Sequence, residues 1–183
     1  AFTALAVGVL ALGIGINSAI FSVVYTVFFK PWPIEKPEEV AFIYRNQWNR
    51  TVWPVSFYGP KRQEFLESNP GVTALGSYWG IARDIEVEGL TERTWGEWVS
   101  SNYFDVLGVR PIIGRTFTAD DNQTNPDAGI VISDALWRER FGRDPGVVGR
   151  TLRIHKGEVP VVGVTGPEFR GLTGVWPPSR WWM

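Results

Sequence analysis

No Asp, Glu, Lys, Arg or His occurs between Ala1 and Phe29. An uncharged run of this length constrains the chain more than any other feature. As a helix rising about 1.5 Å per residue it extends about 43 Å, enough to cross a hydrocarbon core of about 30 Å. A secretory leader has an apolar region of only about 7–15 residues and a small-residue cleavage site. Here the bulky "FFKPWP" follows at 28–33, so a retained transmembrane helix is expected rather than a leader. Pro31 and Pro33 would stop it, and Tyr25 and Trp32 suit the membrane–water interface. The chain starts at Ala rather than Met, so its N-terminus is expected upstream.

Within the run, Ala11, Gly15 and Ala19 recur every fourth residue. Stripes of small residues let another helix approach closely. Asn17 falls near mid-membrane, where an unpaired amide is costly. Ala11, Gly15, Asn17 and Ala19 are therefore the expected helix-packing residues. The run has no imidazole to ligate a haem or chlorophyll metal, and no cofactor is expected.

Beyond Pro33 charges appear regularly. The chain carries 18 basic and 19 acidic residues, so there is no cationic excess to neutralise phosphates and nucleic acid is excluded as a partner. Cysteine is absent, which removes disulfides, thiolate metal sites and a Cys nucleophile. Patterning predicts strands at 39–44, 72–78, 83–87, 91–99 and 129–132, and a hairpin of 151–155 with 159–164. It predicts helices at 56–68, 102–107 and 134–141. Strands and helices mix without strict alternation, so the class is α+β. The expected organisation is a transmembrane helix at 1–30, a linker at 31–37, a domain at 38–175 and a Trp-rich segment at 176–183.

No motif encodes catalysis or metal binding. His155 is the single histidine and has no second ligand at metal spacing. "ADDNQTNPD" at 119–127 alternates oxygen-bearing side chains, but it lacks the glycine and final glutamate of a calcium loop. It reads as a solvated loop. Neither Ser56 nor Ser133 lies in a G-x-S-x-G elbow, and no G-x-x-x-x-G-K-[ST] phosphate loop occurs. The chain is not expected to be an enzyme. Ten tryptophans remain to be explained. About half are expected in the core and the rest at contact surfaces. Trp32, Trp95, Trp98, Trp176, Trp181 and Trp182 are the interface candidates. The terminal "VWPPSRWWM" is apolar enough to need a partner. A neighbouring protein ranks first, its own domain second and the lipid interface third.

Four collinear segments carry a resemblance. They are "ALGIGINSAIFSVVYTVFFKPWP" at 11–33, "VSFYGPKRQEF" at 55–65, "VSSNYFDVLGVRPIIGRTFTADD" at 99–121 and "VISDALWRERFGRDPGVVGRTLRIHKGEVPVVGV" at 131–164. Their order resembles the MacB-like periplasmic core domain of ABC-transporter permeases, especially the duplicated orphan permeases of acidobacterial type. The resemblance implies a first transmembrane helix entering from the cytoplasm, a periplasmic domain after it, and a separate ABC ATPase as energy source. It also implies an inner-membrane location. Family members carry further transmembrane helices, whereas this sequence has no second apolar run of about 18 residues. Trp95 and Trp98 stand where the family usually has small residues.

Two functional expectations follow. The leading one is a non-catalytic, single-helix accessory or scaffold subunit of a larger membrane complex, with photosynthetic or respiratory complexes as candidate hosts. Its partners would be other transmembrane helices, periplasmic surfaces and lipid. The alternative is a piece of an ABC-transporter permease whose periplasmic domain couples transport to a separate ATPase.

Overall fold

A computed structural model describes residues 2–25, 34–47, 50–54, 60–121, 128–154, 157–172 and 177–183. The chain divides into two compact units, Ala1–Trp32 and Pro33–Met183. The first holds one helix, α1 (Phe2–Val24). Its apolar stretch Phe2–Ser22 is long and apolar enough to cross a membrane.

The second unit is built on a seven-stranded mixed sheet. Its elements are β1 (Tyr44–Gln47), β2 (Arg50–Pro54), α2 (Pro60–Ser68), β3 (Tyr78–Val87), β4 (Leu90–Val99), α3 (Tyr103–Leu107), β5 (Pro111–Gly114), β6 (Ile130–Ile132), α4 (Asp134–Phe141), β7 (Thr151–Ile154), β8 (Gly157–Thr165) and β9 (Trp181–Trp182). β1 and β2 form a separate two-stranded ribbon. The large sheet runs β5-β8-β6-β9-β4-β3-β7, and β7 also pairs with β8. The pairings β8–β6–β9–β4–β3–β7 thus close into a ring, with β5 added on β8. The α+β class expected from the sequence is the one observed.

β3 and β4 form the longest hairpin, in register from Tyr78↔Val99 to Val87↔Leu90. Glu88 and Gly89 turn it with φ of 50° and 81°. Two successive positive φ values match the right-handed strand twist, which is why Gly is favoured there. The hairpin corrects the expected pair of strands at 72–78 and 83–87. Residues 79–82 stay extended because each finds a partner on β4, a non-local pairing that local patterning does not display.

The expected strand at 39–44 is also replaced. Pro37–Glu39 form a 3-10 turn, closed by Val40 N–H donating to the Pro37 carbonyl. Strand geometry starts only at Tyr44. α3 and α4 lie within a residue of the expected helices. α3 ends at Gly108, whose φ of 66° is the left-handed cap that glycine adopts without strain. Ser133 caps α4, its Oγ accepting the Leu136 N–H at 3.2 Å. The expected hairpin is β7–β8. His155 and Lys156 at its turn lie outside the described residues.

The core has two parts. One gathers Ile85, Val87, Ile130, Ile132, Leu136, Phe141, Leu152, Val161 and Trp181 beneath α4. The other gathers Tyr103, Phe104, Leu107, Phe117, Val131, Phe169, Leu172 and Trp182 beneath α3. Val131 and Ile132 alternate between them, as strand geometry requires. So do Trp181 and Trp182. β9 is a central strand buried on both faces.

Candidate functional site

α1 offers the first candidate surface. Its described side chains are exposed, Leu10 and Leu12 among them. Successive helix positions rotate by about 100°. Ala4, Gly8, Ala11, Gly15, Ser18 and Ser22 therefore share one face. Asn17 lies about 200° round from Gly15, on the opposite side. There it borders a shallow groove with Ala6, Val9, Leu10 and Gly13. The expected packing set is thus split. Ala11, Gly15 and Ala19 belong to a smooth face, and Asn17 belongs to another. A Cβ added at Gly8, Gly13 or Gly15 would meet nothing within 4 Å. Among the described residues, nothing demands glycine at those positions.

The tryptophans provide the second. Trp181 and Trp182 are fully buried, which corrects their expected role as interface residues. The terminal segment docks on its own domain, the outcome ranked second from sequence. The physical reason is that β4 and β6 leave a strand-wide gap between them, and β9 fills it. Glu97↔Trp182 is the parallel pairing on one side. Val131↔Trp182 and Ile132↔Trp181 are the antiparallel pairings on the other. Trp95 and Trp98 are half-buried. Trp98 meets the Trp181 ring edge-on at 6.3 Å. Trp79, opposite Trp98 in the hairpin register, is 45% exposed. It was not singled out from sequence. Trp32 and Trp176 lie outside the described residues.

Beneath α3 sits a fully buried carboxylate that sequence reasoning missed. Glu97 is 0% exposed. Its Oε2 accepts the Tyr103 hydroxyl at 2.6 Å and the Trp182 indole N–H at 2.8 Å. Its Oε1 accepts the Leu172 backbone N–H and the Ser179 hydroxyl, each at 2.8 Å. Among these four donors, each oxygen receives one N–H and one hydroxyl. Burial, then the charge of Glu97, push the Tyr103 hydroxyl well above its ordinary value, so it remains a donor. Two glycines make room. A Cβ at Gly171 would lie 2.6 Å from Ser179 Oγ, and one at Gly96 would lie 2.6 Å from Trp181 Cε3. Trp181 turns its own indole N–H to Thr94 Oγ1 at 3.0 Å. The available signal was a lone Glu between tryptophans in "TWGEW", on a strand that alternation alone would leave half-exposed.

Among the described residues no three His, Cys, Asp or Glu side chains gather as a metal site would need. Ser133 serves as a helix cap. Asp121 takes two bonds from Arg115, at 2.5 and 3.1 Å, and one from the Thr118 N–H at 2.7 Å. Residues 122–127 of the expected solvated loop lie outside the described residues.

An apolar helix of membrane-spanning length followed by a mixed sheet domain is the arrangement these residues define. Residues 3–183 match the profile of the MacB-like periplasmic core domain, and the chain belongs to that family. The macrolide export ATP-binding/permease protein MacB of Neisseria gonorrhoeae is 26% identical over 127 residues, covering 62% of this chain and 19% of that protein. MacB of Neisseria meningitidis serogroup B gives the same values. The chain thus spans about a fifth of the curated relatives it matches. Among solved structures, the periplasmic region of MacB from Actinobacillus actinomycetemcomitans superposes with a TM-score of 0.50 at 18% identity, over 58% of this chain and 50% of that one. The extracellular domain of the noncanonic ABC-type transporter YknZ from Gram-positive bacteria gives 0.51 at 19% identity, over 68% and 61%. These likenesses establish the fold. The relatives are permeases by name, so they favour the transport alternative. They lend nothing to an accessory subunit of a photosynthetic or respiratory complex.

Proposed function

We propose that this chain is part of an ABC-transporter permease of the MacB-like kind. α1 serves as a membrane-spanning helix of the inner membrane, with its N-terminal end towards the cytoplasm. The domain from residue 34 onward lies on the periplasmic side and couples transport to ATP hydrolysis elsewhere. The observation that carries the reading is the family match, which runs unbroken through both α1 and the sheet domain. The sequence has no phosphate-loop motif, so the ATPase activity is assigned outside these 183 residues. α1 fits such a setting. Its small-residue face accepts one neighbouring helix at close range, and the Asn17 side accepts a second, where an amide partner offsets desolvation.

The test is purification of the native protein in mild detergent, with intact mass and identification of every co-migrating chain. An ABC ATPase in stoichiometric amount supports the reading. A short polypeptide travelling with a redox or pigment complex overturns it in favour of the accessory subunit. The topology is checked separately. The chain lacks cysteine, so a single Thr73→Cys substitution at an exposed site reports its compartment. Labelling by a membrane-impermeant maleimide in intact spheroplasts is expected, and labelling only after lysis places the domain in the cytoplasm.

A further inference from the structure

β9 poses a register problem. A strand with one apolar and one polar face is held in register by that difference. β9 consists of two residues of the same type, Trp181 and Trp182, both 0% exposed and facing opposite parts of the core. Hydrophobic patterning cannot tell which ring belongs to which face. Polar groups must decide. Trp182 donates to Glu97 on the α3 side, and Trp181 donates to Thr94 on the α4 side. Gly96 leaves space for an indole on the α4 side only.

Glu97 does more than select a face. Four donors among the described residues come from α3, Leu172, Ser179 and β9, so one carboxylate joins four parts of the chain. Burying a carboxylate is expensive, and an apolar residue would pack at lower cost. α3 then carries the connection onward. The Leu107 carbonyl at its far end accepts the Glu35 N–H at 3.1 Å. A Cβ at Gly108 would collide with the Glu35 side chain, so that side chain lies flat on the cap. Ile34 and Val40 pack on the same cluster as Trp182.

We propose that Glu97 is a latch that fixes the register of the C-terminal strand and ties its seating, through α3, to the segment at residues 34–40. This device stands whether or not the chain works in transport. The latch makes β4, α3, β9 and the 34–40 segment open and close together, while the β7–β8 hairpin stays outside the unit.

Hydrogen exchange of the full chain in detergent micelles tests it with two variants. Glu97→Gln offers one acceptor oxygen and turns an NH2 towards donors. Tyr103→Phe removes one donor and keeps the ring. Loss of one hydrogen bond to a charged acceptor should raise opening about tenfold. In both variants the amides of Arg180 and Met183, bonded to the Trp95 and Glu97 carbonyls, should exchange about that much faster. The Glu35 amide should follow, and those of Leu152 and Val159 should not. Acceleration confined to residues touching the altered side chain, with Glu35 unmoved, overturns the proposal. Equal acceleration across the whole domain also overturns it, since that is global loosening. If Glu97→Gln fails to fold, Tyr103→Phe alone carries the same comparison.

Discussion

Gly96→Ala is the smallest change that should damage this domain badly. The new methyl would sit 2.6 Å from Trp181 Cε3 and nearer still to the ring-fusion atoms Cδ2 and Cε2. Ordinary van der Waals contact requires about 3.5–4.0 Å. The indole must therefore shift by about an ångström in a core where neighbours fill the space. It cannot shift freely, because it is held by the 3.0 Å bond to Thr94 and the edge-on contact with Trp98. Overpacking of this kind costs about 1–3 kcal/mol, and loss of the Thr94 bond adds about 1 kcal/mol. The expected total is about 2–4 kcal/mol, a large part of the 5–15 kcal/mol typical of a folded domain. Urea unfolding of the full chain in micelles, followed by near-ultraviolet dichroism of the tryptophans, measures it. The steric origin is checked in a Trp181→Val background, which has no atoms at the Cδ2, Cε2 and Cε3 positions. There the same glycine change should cost under about 1 kcal/mol. A Gly96→Ala protein within about 0.5 kcal/mol of the parent would refute the reasoning. So would an equal penalty in both backgrounds.

Three further outcomes are expected. Ser133→Ala removes the α4 cap and should lower stability by about 1 kcal/mol in the same unfolding assay, with Ser133→Asn restoring most of it. Burial alone would raise the Asp121 carboxyl, but the Arg115 and Thr118 bonds hold it below its ordinary value. Its contribution is then fully present above the unfolded value of about 4 and is lost as pH falls through the lower folded value. Asp121→Asn should be less stable than the parent at pH 7, and the gap in urea midpoint should shrink by pH 3. Gly15→Leu and Asn17→Leu address opposite faces of α1. Each should reduce co-purification of partner chains without changing the unfolding midpoint of the sheet domain, and the double variant should lose the sum of the two effects.

Elements whose signals are local were legible. α4 carries its cap at Ser133, its apolar spacing at Leu136, Trp137 and Phe141, and its stop at Gly142 within ten residues, and it lies at the expected positions. α3 with Gly108, and the β7–β8 hairpin, are similar cases. What failed was set by distant partners. Residues 79–82 are strand because β4 lies beside them. Pro111–Gly114 form β5, a strand absent from the expected set, since β8 presents a free side at 163–165. The small packing residues of α1 are legible in the sequence, but Asn17 falls on the opposite face once helical rotation of about 100° per residue is counted.

The tryptophans show the limit most sharply. A terminal segment with three tryptophans and two prolines carries apolar area that water disfavours, and the sequence states that need without naming what meets it. The answer lies some 85 residues earlier, in Thr94, Gly96 and Glu97. A threonine, a glycine and a glutamate on one strand carry no hydrophobic signal of their own. They become intelligible only as the floor on which two indoles rest, one needing a hydroxyl and space, the other a carboxylate. Glu97 carries no sign of burial in the sequence, and Trp181 and Trp182 carry no sign of what covers them, because each is explained only by the other.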